Sequence, residues 1–195
     1  MATPITARDR AKAERSDALL TAAATLFAER GFSGVSLEDI GAAVGVSGPA
    51  VYRHFAGKQA LLGALLVGVS RDLVAGGTAV FEASSDDEDR IRCLIRFHVD
   101  FALGHADVIR VQDRDLAHLS DADRADVRRL QRAYIDLWMT ALAALRSVPS
   151  DELRLRVQAG FGLINSTPHS TRSAARAQAA TAAVLTDMAY AALTA

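Results

Sequence analysis

The sequence has little cysteine, proline or lysine among its 195 residues, and these scarcities exclude several classes of protein. The single cysteine, Cys93, excludes a disulfide framework and a cysteine-rich zinc module. The longest apolar run, 60–69, contains two glycines and is far shorter than the ~20 residues of a membrane-spanning helix. The first ten residues contain no apolar signal segment. We therefore expect a soluble, cytoplasmic protein, and its net charge of −1 gives no global basicity toward nucleic acid.

Composition and periodicity both predict an all-α fold. Alanine, the strongest helix former, supplies 39 of the 195 residues, and proline occurs only at positions 4, 49, 149 and 168. Apolar residues recur at helical spacing nearly everywhere, and no alternating strand pattern is visible. We predict about nine helices, with a loose tail at 1–7 and a loose connection at 76–89. The predicted helices are 9–30, 37–44, a short one that follows Ser47, 58–74, 87–103, 105–118, 121–147, 151–167 and 173–194.

Two short helices near the N-terminus have the spacing of a helix-turn-helix. Ser36 is placed to cap the first helix, with Asp39 at the capping-box position, and Gly45 ends it. Ser47 is placed to cap the second helix, whose first turn tolerates Pro49. Apolar residues give each helix a buried face, namely Leu37, Ile40 and Val44 in the first and Val46, Val51 and Phe55 in the second. The second helix therefore presents small and polar residues outward, as a DNA-recognition helix does: Ser47, Gly48, Ala50, Tyr52, Arg53 and His54.

The segment 31–62 resembles the DNA-binding domain of the TetR/AcrR transcriptional repressors. The matching residues are Gly31, Phe32, Val35, Ser36, Asp39, Ile40, Ala43, Gly45, Val46, Ser47, Val51, Tyr52, His54, Phe55, Lys58 and Leu61. Chain length, the N-terminal position of the motif and the helical remainder are also similar to this family. The resemblance implies a three-helix DNA-binding domain over 1–57 and a helical ligand-binding and dimerisation domain over 58–195.

The resemblance also implies which residues meet DNA. The second short helix would enter the major groove of a palindromic operator, and Lys58 would meet a phosphate with little role in folding. The implied DNA-binding residues are Ser36, Ser47, Gly48, Pro49, Ala50, Tyr52, Arg53, His54 and Lys58. The basic residues Arg8, Arg10, Lys12 and Arg15 suit phosphate contact and equally suit a solvated tail.

By the same resemblance, the C-terminal helices would hold a small apolar effector that releases the operator. The candidate lining is Phe97, Phe101, Tyr134, Trp138, Phe161 and Asn165. The aromatic residues could instead fill a solid core, although for Trp138 we favour the pocket. The segment 108–138 is loosely similar to members that sense acyl-CoA thioesters. Its arginine side chains could bind the CoA phosphates, or they could simply be solvated charges on helix surfaces. No cofactor is expected.

The last two helices, 151–167 and 173–194, predict a homodimer. They carry more small and apolar surface than one monomer core needs: Ala159, Gly160, Ala177, Ala180, Ala183, Val184 and Met188. A two-fold dimer would present two recognition helices to two half-sites.

Three other functions remain open from the sequence. A DNA-binding regulator without a ligand would have a filled core and no cavity. Cys93 could sense redox state, although its apolar helix position is typical of an inert thiol. An enzyme is disfavoured because no nucleophile elbow, phosphate loop or HExxH motif occurs, and His98 and Asp100 point to different sides of one helix.

Overall fold

A computed structural model describes residues 6–170 and 179–195 of the chain. These residues form helices without any strand, which confirms the predicted all-α fold class. In chain order the helices are α1 (Ala7–Arg30), α2 (Leu37–Ala43), α3 (Gly48–Val51), α4 (Lys58–Ala83), α5 (Asp87–Gly104), α6 (Ala106–Asp115), α7 (Asp121–Ala143), α8 (Ser150–Asn165), α9 (Thr167–Ser170) and α10 (Ala179–Thr194). A 3-10 turn, Leu116–His118, follows α6. Residues 1–5 of the predicted tail and 173–178 of the predicted last helix lie outside the described residues.

Helix α1 begins two residues earlier than predicted because a capping box fixes its first turn. The Thr6 hydroxyl accepts from the Asp9 backbone N–H at 3.2 Å, and the Asp9 carboxylate accepts from the Thr6 N–H at 3.2 Å. This reciprocal pair satisfies backbone donors that the start of a helix leaves free. The last two residues of the predicted tail, 6–7, are therefore ordered by the helix.

Helix α4 continues to Ala83, so the loose connection predicted at 76–89 is wrong except at residues 84–86. The physical reason lies in the contacts of two consecutive glycines. A Cβ atom added at Gly76 would lie 2.4 Å from the Phe97 ring, and one added at Gly77 would lie 2.6 Å from the Tyr134 ring. These glycines let α5 and α7 pack close to the α4 backbone, which differs from the loop-forming role that the sequence suggested.

The other helix ends differ from prediction by a few residues. Helix α6 gives way at Leu116 to a single 3-10 turn, and α7 ends at Ala143, four residues early. Helix α8 ends at Asn165 and is followed by the short helix α9.

Two hydrophobic clusters form the core, and α4 joins them. The first cluster covers α1, α2, α3 and the N-terminal half of α4, and it takes further residues from α6 and α7. The second lies among α5, α7, α8 and α10, around Trp138. By length and composition α4 is apolar enough to cross a membrane, and in this fold it packs against α1, α5 and α7. The fold therefore gives α4 contacts with both clusters.

Candidate functional sites

The helix-turn-helix is held at a fixed angle by two glycines. Gly45 has a φ of +71°, in the left-handed region that favours glycine, and it turns the chain between α2 and α3. A Cβ added at Gly41 would lie 2.8 Å from the Val46 carbonyl oxygen and 3.0 Å from the Val51 side chain. Helix α3 thus packs directly on the α2 backbone, which fixes its position.

Most residues expected to meet DNA lie on or next to α3 and are exposed or half-buried. Tyr52 is 56% exposed, and Ser47, Pro49 and Arg53 are also exposed, while His54 is half-buried. Gly48 and Ala50 are half-buried, and the Glu38 carboxylate lies beside Gly48. Ser47 occupies the position before α3, but its side chain makes no capping hydrogen bond, contrary to the cap expected from the sequence.

Basic side chains of α1 extend this surface. Arg8, Lys12 and Arg15 line a depression of about 400 Å³ together with Arg53 and His54. The N-terminal basic residues and the turn after α3 therefore form one continuous basic surface. Such a surface suits a DNA backbone, whose charge a protein neutralises with arginine and lysine.

Two of the residues expected to bind DNA, Lys58 and Ser36, form hydrogen bonds within the protein. The Lys58 ammonium donates to the carbonyl oxygens of Phe32, at 2.7 Å, and Val35, at 2.6 Å, and it lies 4.5 Å from the centre of the Phe32 ring. The Ser36 hydroxyl donates to the Asp39 carboxylate at 2.7 Å within the capping box of α2. The expectation that Lys58 has little role in folding is thus corrected, because it ties α4 to the loop before α2. Phosphate contact through its remaining N–H stays a prediction.

A cavity of about 180 Å³ lies between α4, α5, α6, α7 and α8. Four of the six residues predicted to bind a ligand line it, namely Phe101, Tyr134, Phe161 and Asn165. The remainder of its lining is Ser70, Leu73, His98, Val108, Ile109, Gln112, Leu130, Gln131 and Ile135. The aromatic residues therefore do both things that the sequence left open, since they pack together and also border a cavity.

The other two predicted ligand residues do not line this cavity. Trp138 is completely buried behind it, with its ring edge-on to Phe161 at 4.9 Å between centroids. The pocket that we favoured for Trp138 is thus corrected to a core position. Phe97 packs against Gly76 and borders a shallower depression with Asp100 and His105.

His98 is central to the polar part of the cavity lining, although its sequence position suggested only a disfavoured catalytic role. Its Nε2 lies 3.2 Å from Asn165 Oδ1, and its Nδ1 lies 3.4 Å from the Tyr134 hydroxyl. Burial lowers the pKa of His98 to about 4, and burial raises the pKa of Tyr134, so both are neutral at pH 7. The helical spacing of His98 with the buried residues Leu94 and Ala102 was the available signal.

Helix α6 connects the cavity to α1, which packs against α2 of the helix-turn-helix. Val108, Ile109 and Gln112 of α6 line the cavity. Two residues further along, Arg114 donates to the carbonyl oxygens of Phe27 and Ala28 at the end of α1. A movement of α6 would therefore act directly on α1.

Two further contacts hold this junction. The Arg114 guanidinium also pairs with the buried carboxylate of Asp115 at 3.1 Å. Nearer the start of α6, the Thr25 hydroxyl donates to Asp107 at 3.2 Å. An open groove of about 790 Å³, lined by residues of α1, α4 and α6, runs beside these contacts.

An exposed apolar surface covers the outer sides of α8 and α10. Leu155, Val184 and Met188 are 66%, 56% and 51% exposed. Ala159, Ala180 and Ala183, which lie within one helical turn of them on the same helices, are also exposed. Gly160, which was expected on this surface, is buried, and a Cβ there would lie 3.3 Å from Leu193. Ala177 lies outside the described residues.

The remaining chemical candidates are weak. Within residues 6–170 and 179–195, no group of three or more His, Cys, Asp or Glu side chains could hold a metal ion. Cys93 is half-buried, with its sulfur 3.5 Å from Asp89 Oδ1 and 3.1 Å from Arg96 Nη2. It therefore lies in a polar surrounding and not in the apolar one that the sequence suggested.

Two family models match the chain, and both describe the same family. Residues 19–65 match "Bacterial regulatory proteins, tetR family", and residues 84–169 match "Tetracyclin repressor-like, C-terminal domain". The transcriptional repressor KstR2 of Rhodococcus jostii (strain RHA1) is 27% identical over 134 residues, which are 68% of this chain and 66% of that protein. The transcriptional activator FasR of Mycolicibacterium smegmatis is 33% identical over 88 residues, 45% of this chain and 40% of its own. The chain thus matches less than two thirds of the length of either relative.

Solved structures share the whole architecture. A TetR-family regulator from Bordetella parapertussis 12822 superposes with a TM-score of 0.81 and 22% identity, over 91% of this chain and 93% of its own. AibR, solved with isovaleryl coenzyme A and operator DNA, superposes with a TM-score of 0.74 and 20% identity, over 90% and 96%. At these identities the likeness establishes the fold.

Proposed function

Because the chain belongs to the TetR family of bacterial transcriptional regulators, we propose that it is a repressor released from its operator by a small, largely apolar effector. The observation that carries this proposal is the cavity among α4, α5, α6, α7 and α8, which α6 joins to α1. A regulator that acts without a ligand would not need this cavity. The site of action would be the bacterial cytoplasm, where operator DNA lies.

The DNA-binding part would be residues 1–57. Helix α3 would enter the major groove, with Tyr52, His54 and Ser47 near the bases or the adjoining backbone. The exposure of Ser47 and Tyr52 and the partial exposure of His54 support this assignment. The basic groove formed by Arg53 and the start of α1 would lie along the phosphates.

Residues 58–195 would bind the effector and form a homodimer. The exposed apolar surface of α8 and α10 supports the dimer, because large apolar patches on soluble proteins mark interaction surfaces. A two-fold axis through this surface would present two α3 helices to the halves of a palindromic operator. Helix α10 is apolar on its buried side and on its exposed side, and the dimer would cover both.

The effector would act by shifting the population of two conformers. Cavity residues Val108 and Ile109 lie on α6, and Arg114 on the same helix holds the end of α1. A ligand that moves α6 outward would therefore displace α1 and, with it, the helix-turn-helix. The two recognition helices would then no longer match successive major grooves.

An acyl-CoA thioester is one candidate effector. AibR was solved with isovaleryl coenzyme A, and its fold is similar to this one. The acyl group would enter the cavity, and the exposed arginines of α7, such as Arg128 and Arg132, would meet the phosphates outside it.

The proposal is tested by selecting bound sequences from random DNA and measuring their affinity. We expect a palindromic site, bound by a dimer in analytical ultracentrifugation at micromolar concentration. Double substitution of the outer surface, Val184→Asp with Met188→Asp, should give monomers and weaken operator binding. Ala122→Asp with Ala125→Asp, at two exposed positions of α7, is the matched control. A monomeric parent, or a chain that selects no sequence, would overturn the proposal.

A further inference from the structure

The lining of the cavity is polar in places and uncharged throughout. We propose that it takes an uncharged molecule, about the size of one substituted ring, with either a carbonyl oxygen that accepts from the Asn165 amide or a hydroxyl group that meets both Asn165 and Tyr134. This inference rests on the effector site proposed above and adds the chemistry of the ligand.

The cavity lining contains no lysine or arginine among the described residues, so it does not suit an anionic group. The described residues that line it include no aspartate, glutamate, lysine or arginine, and its polar groups are Ser70, His98, Gln112, Gln131, Tyr134 and Asn165. A carboxylate buried there would lose its hydration without gaining a cation, which is strongly unfavourable. His98 is the one basic side chain among the described lining residues, and its burial opposes a positive charge.

A chain of hydrogen bonds fixes which polar atoms face a ligand. The Asn165 amide turns its oxygen toward His98, so Nε2 carries the proton and donates to it. His98 Nδ1 then accepts from the Tyr134 hydroxyl. What remains for a ligand is the N–H pair of Asn165 as donors and a lone pair of the Tyr134 oxygen as an acceptor. A carbonyl oxygen satisfies the first, and a hydroxyl group satisfies both.

Two glutamines extend this polar edge. The amides of Gln112 and Gln131 have no hydrogen-bond partner within the part of the chain that the structure describes, and both are half-buried at the cavity. Each is a neutral donor and acceptor. They therefore add capacity for an uncharged polar atom or a bridging water without adding charge.

The volume sets the size of the ligand. A cavity of about 150 Å³ holds benzene in another protein, so the roughly 180 Å³ here suits one ring with a short substituent. The nucleotide of a CoA thioester could not enter, although a short acyl group with its carbonyl could. A free ketone or alcohol and a thioester thus share the chemistry proposed, and the experiment must separate them.

Isothermal titration calorimetry with four matched probes tests the inference. Acetophenone offers a carbonyl, 1-phenylethanol a hydroxyl, ethylbenzene neither, and benzoate a negative charge. We expect acetophenone or 1-phenylethanol to bind about tenfold tighter than ethylbenzene, the value of one hydrogen bond, and tighter still than benzoate. The inference would be overturned if benzoate or ethylbenzene bound as tightly as acetophenone. It would also be overturned if no probe bound at millimolar concentration.

Benzoyl-CoA distinguishes the two sources of the same chemistry. Tighter binding than acetophenone identifies a thioester as the natural form of the ligand, and weaker binding identifies a free neutral compound. Both outcomes support an uncharged oxygen in the cavity.

Substitutions test whether the hydrogen-bonded chain of Asn165, His98 and Tyr134 produces the preference for an oxygen-bearing probe. Asn165→Ala should reduce the tenfold preference for acetophenone over ethylbenzene to about one, whereas Gln158→Ala, an amide on the exposed side of the same helix, should keep it. Tyr134→Phe retains the ring and removes the acceptor oxygen, so it should lower the preference for 1-phenylethanol over ethylbenzene; it is the second test if Asn165→Ala does not fold. A preference unchanged in both cavity variants would contradict the assignment.

DNA selection separates this inference from the proposed function. If the chain selects a palindrome but binds no neutral probe, the ligand chemistry is wrong and the regulator remains. If the chain selects no DNA, the proposed function fails whatever the probes do.

Discussion

The guanidinium of Arg114, at the end of α6, donates to the carbonyl oxygen of Phe27, at the end of α1. This bond joins a helix that lines the cavity to a helix that supports the recognition surface. The guanidinium of Arg114 also compensates the negative charge of Asp115, which is almost fully buried. The same side chain thus contributes to stability and to the path between the two sites.

Arg114→Ala should therefore uncouple the two sites. We expect a loss of about 2 kcal/mol in the free energy of unfolding, since Asp115 and two carbonyls lose their partner. The folded variant should still bind the operator but respond less to effector, which titration of the DNA complex would measure. Arg71→Ala, at an exposed arginine on α4, is the control. An Arg114→Ala protein that releases DNA at the parent's effector concentration would contradict this path.

Lys58→Ala should destabilise the fold, unlike Lys12→Ala. Lys58 loses hydrogen bonds to the carbonyls of Phe32 and Val35, at a cost of about 1–3 kcal/mol, whereas Lys12 is exposed on α1. Urea unfolding measures this difference. The salt dependence of DNA binding should fall by about one unit of slope for each lysine that meets a phosphate. Equal stability of the two variants would show that the Lys58 bonds contribute nothing to the fold.

Tyr52→Phe and His54→Ala should weaken operator binding and leave the fold nearly unchanged. Tyr52 is more than half exposed, and no hydrogen bond inside the described chain uses its hydroxyl. We expect roughly tenfold weaker binding for each, which is the value of one interfacial hydrogen bond. Fluorescence anisotropy at matched salt measures it, with circular dichroism as the check on folding. Parental affinity in both variants would mean that the residues implied by the family resemblance do not contact DNA here.

Trp138→Ala should destabilise the protein by about 3–5 kcal/mol, because the ring is completely buried among Phe161, Tyr134 and His98. Gln131→Ala, at the cavity on the same helix, should cost much less. Thermal unfolding of both variants measures the contrast. A stable Trp138→Ala protein with an altered effector response would restore Trp138 to the pocket.

Acid should destabilise the fold through His98 in a defined pH window. Its pKa in the fold is about 4 against 6.5 ordinarily, so between these values the unfolded chain binds more protons than the folded one. Stability is therefore complete above pH 6.5 and falls by about 3 kcal/mol as the pH decreases to 4. Urea unfolding across this range measures the slope, which His98→Gln should abolish and His169→Gln, at an exposed histidine, should keep. A slope that survives in His98→Gln would assign it to other groups.

Features that depend on neighbouring residues were predictable from the sequence. The Ser36–Asp39 capping box and the left-handed turn at Gly45 define α2 and its end within a few positions. The apolar spacing of Leu37, Ile40 and Val51 then orients both short helices. Local signals were sufficient for the helix-turn-helix because almost all of its determinants lie within about twenty residues.

Features that depend on distant residues were not predictable in the same way. The glycine pair at 76–77 indicated a loop until Phe97 and Tyr134, far along the chain, were placed against it. His98 acquires its role from Asn165, 67 residues later. Sequence spacing assigned aromatic residues to the right region, but only packing separates Trp138 in the core from Phe161 at the cavity wall.

The complete burial of Trp138 gives the protein a built-in optical probe. It is the single tryptophan of the chain, and its indole lies edge-on against Phe161, which lines the cavity. The whole intrinsic tryptophan emission therefore originates one side chain away from a bound effector. The wavelength and lifetime of the Trp138 emission can report occupancy of the cavity in unlabelled protein, alone or bound to DNA. The order of effector binding and DNA release can therefore be measured.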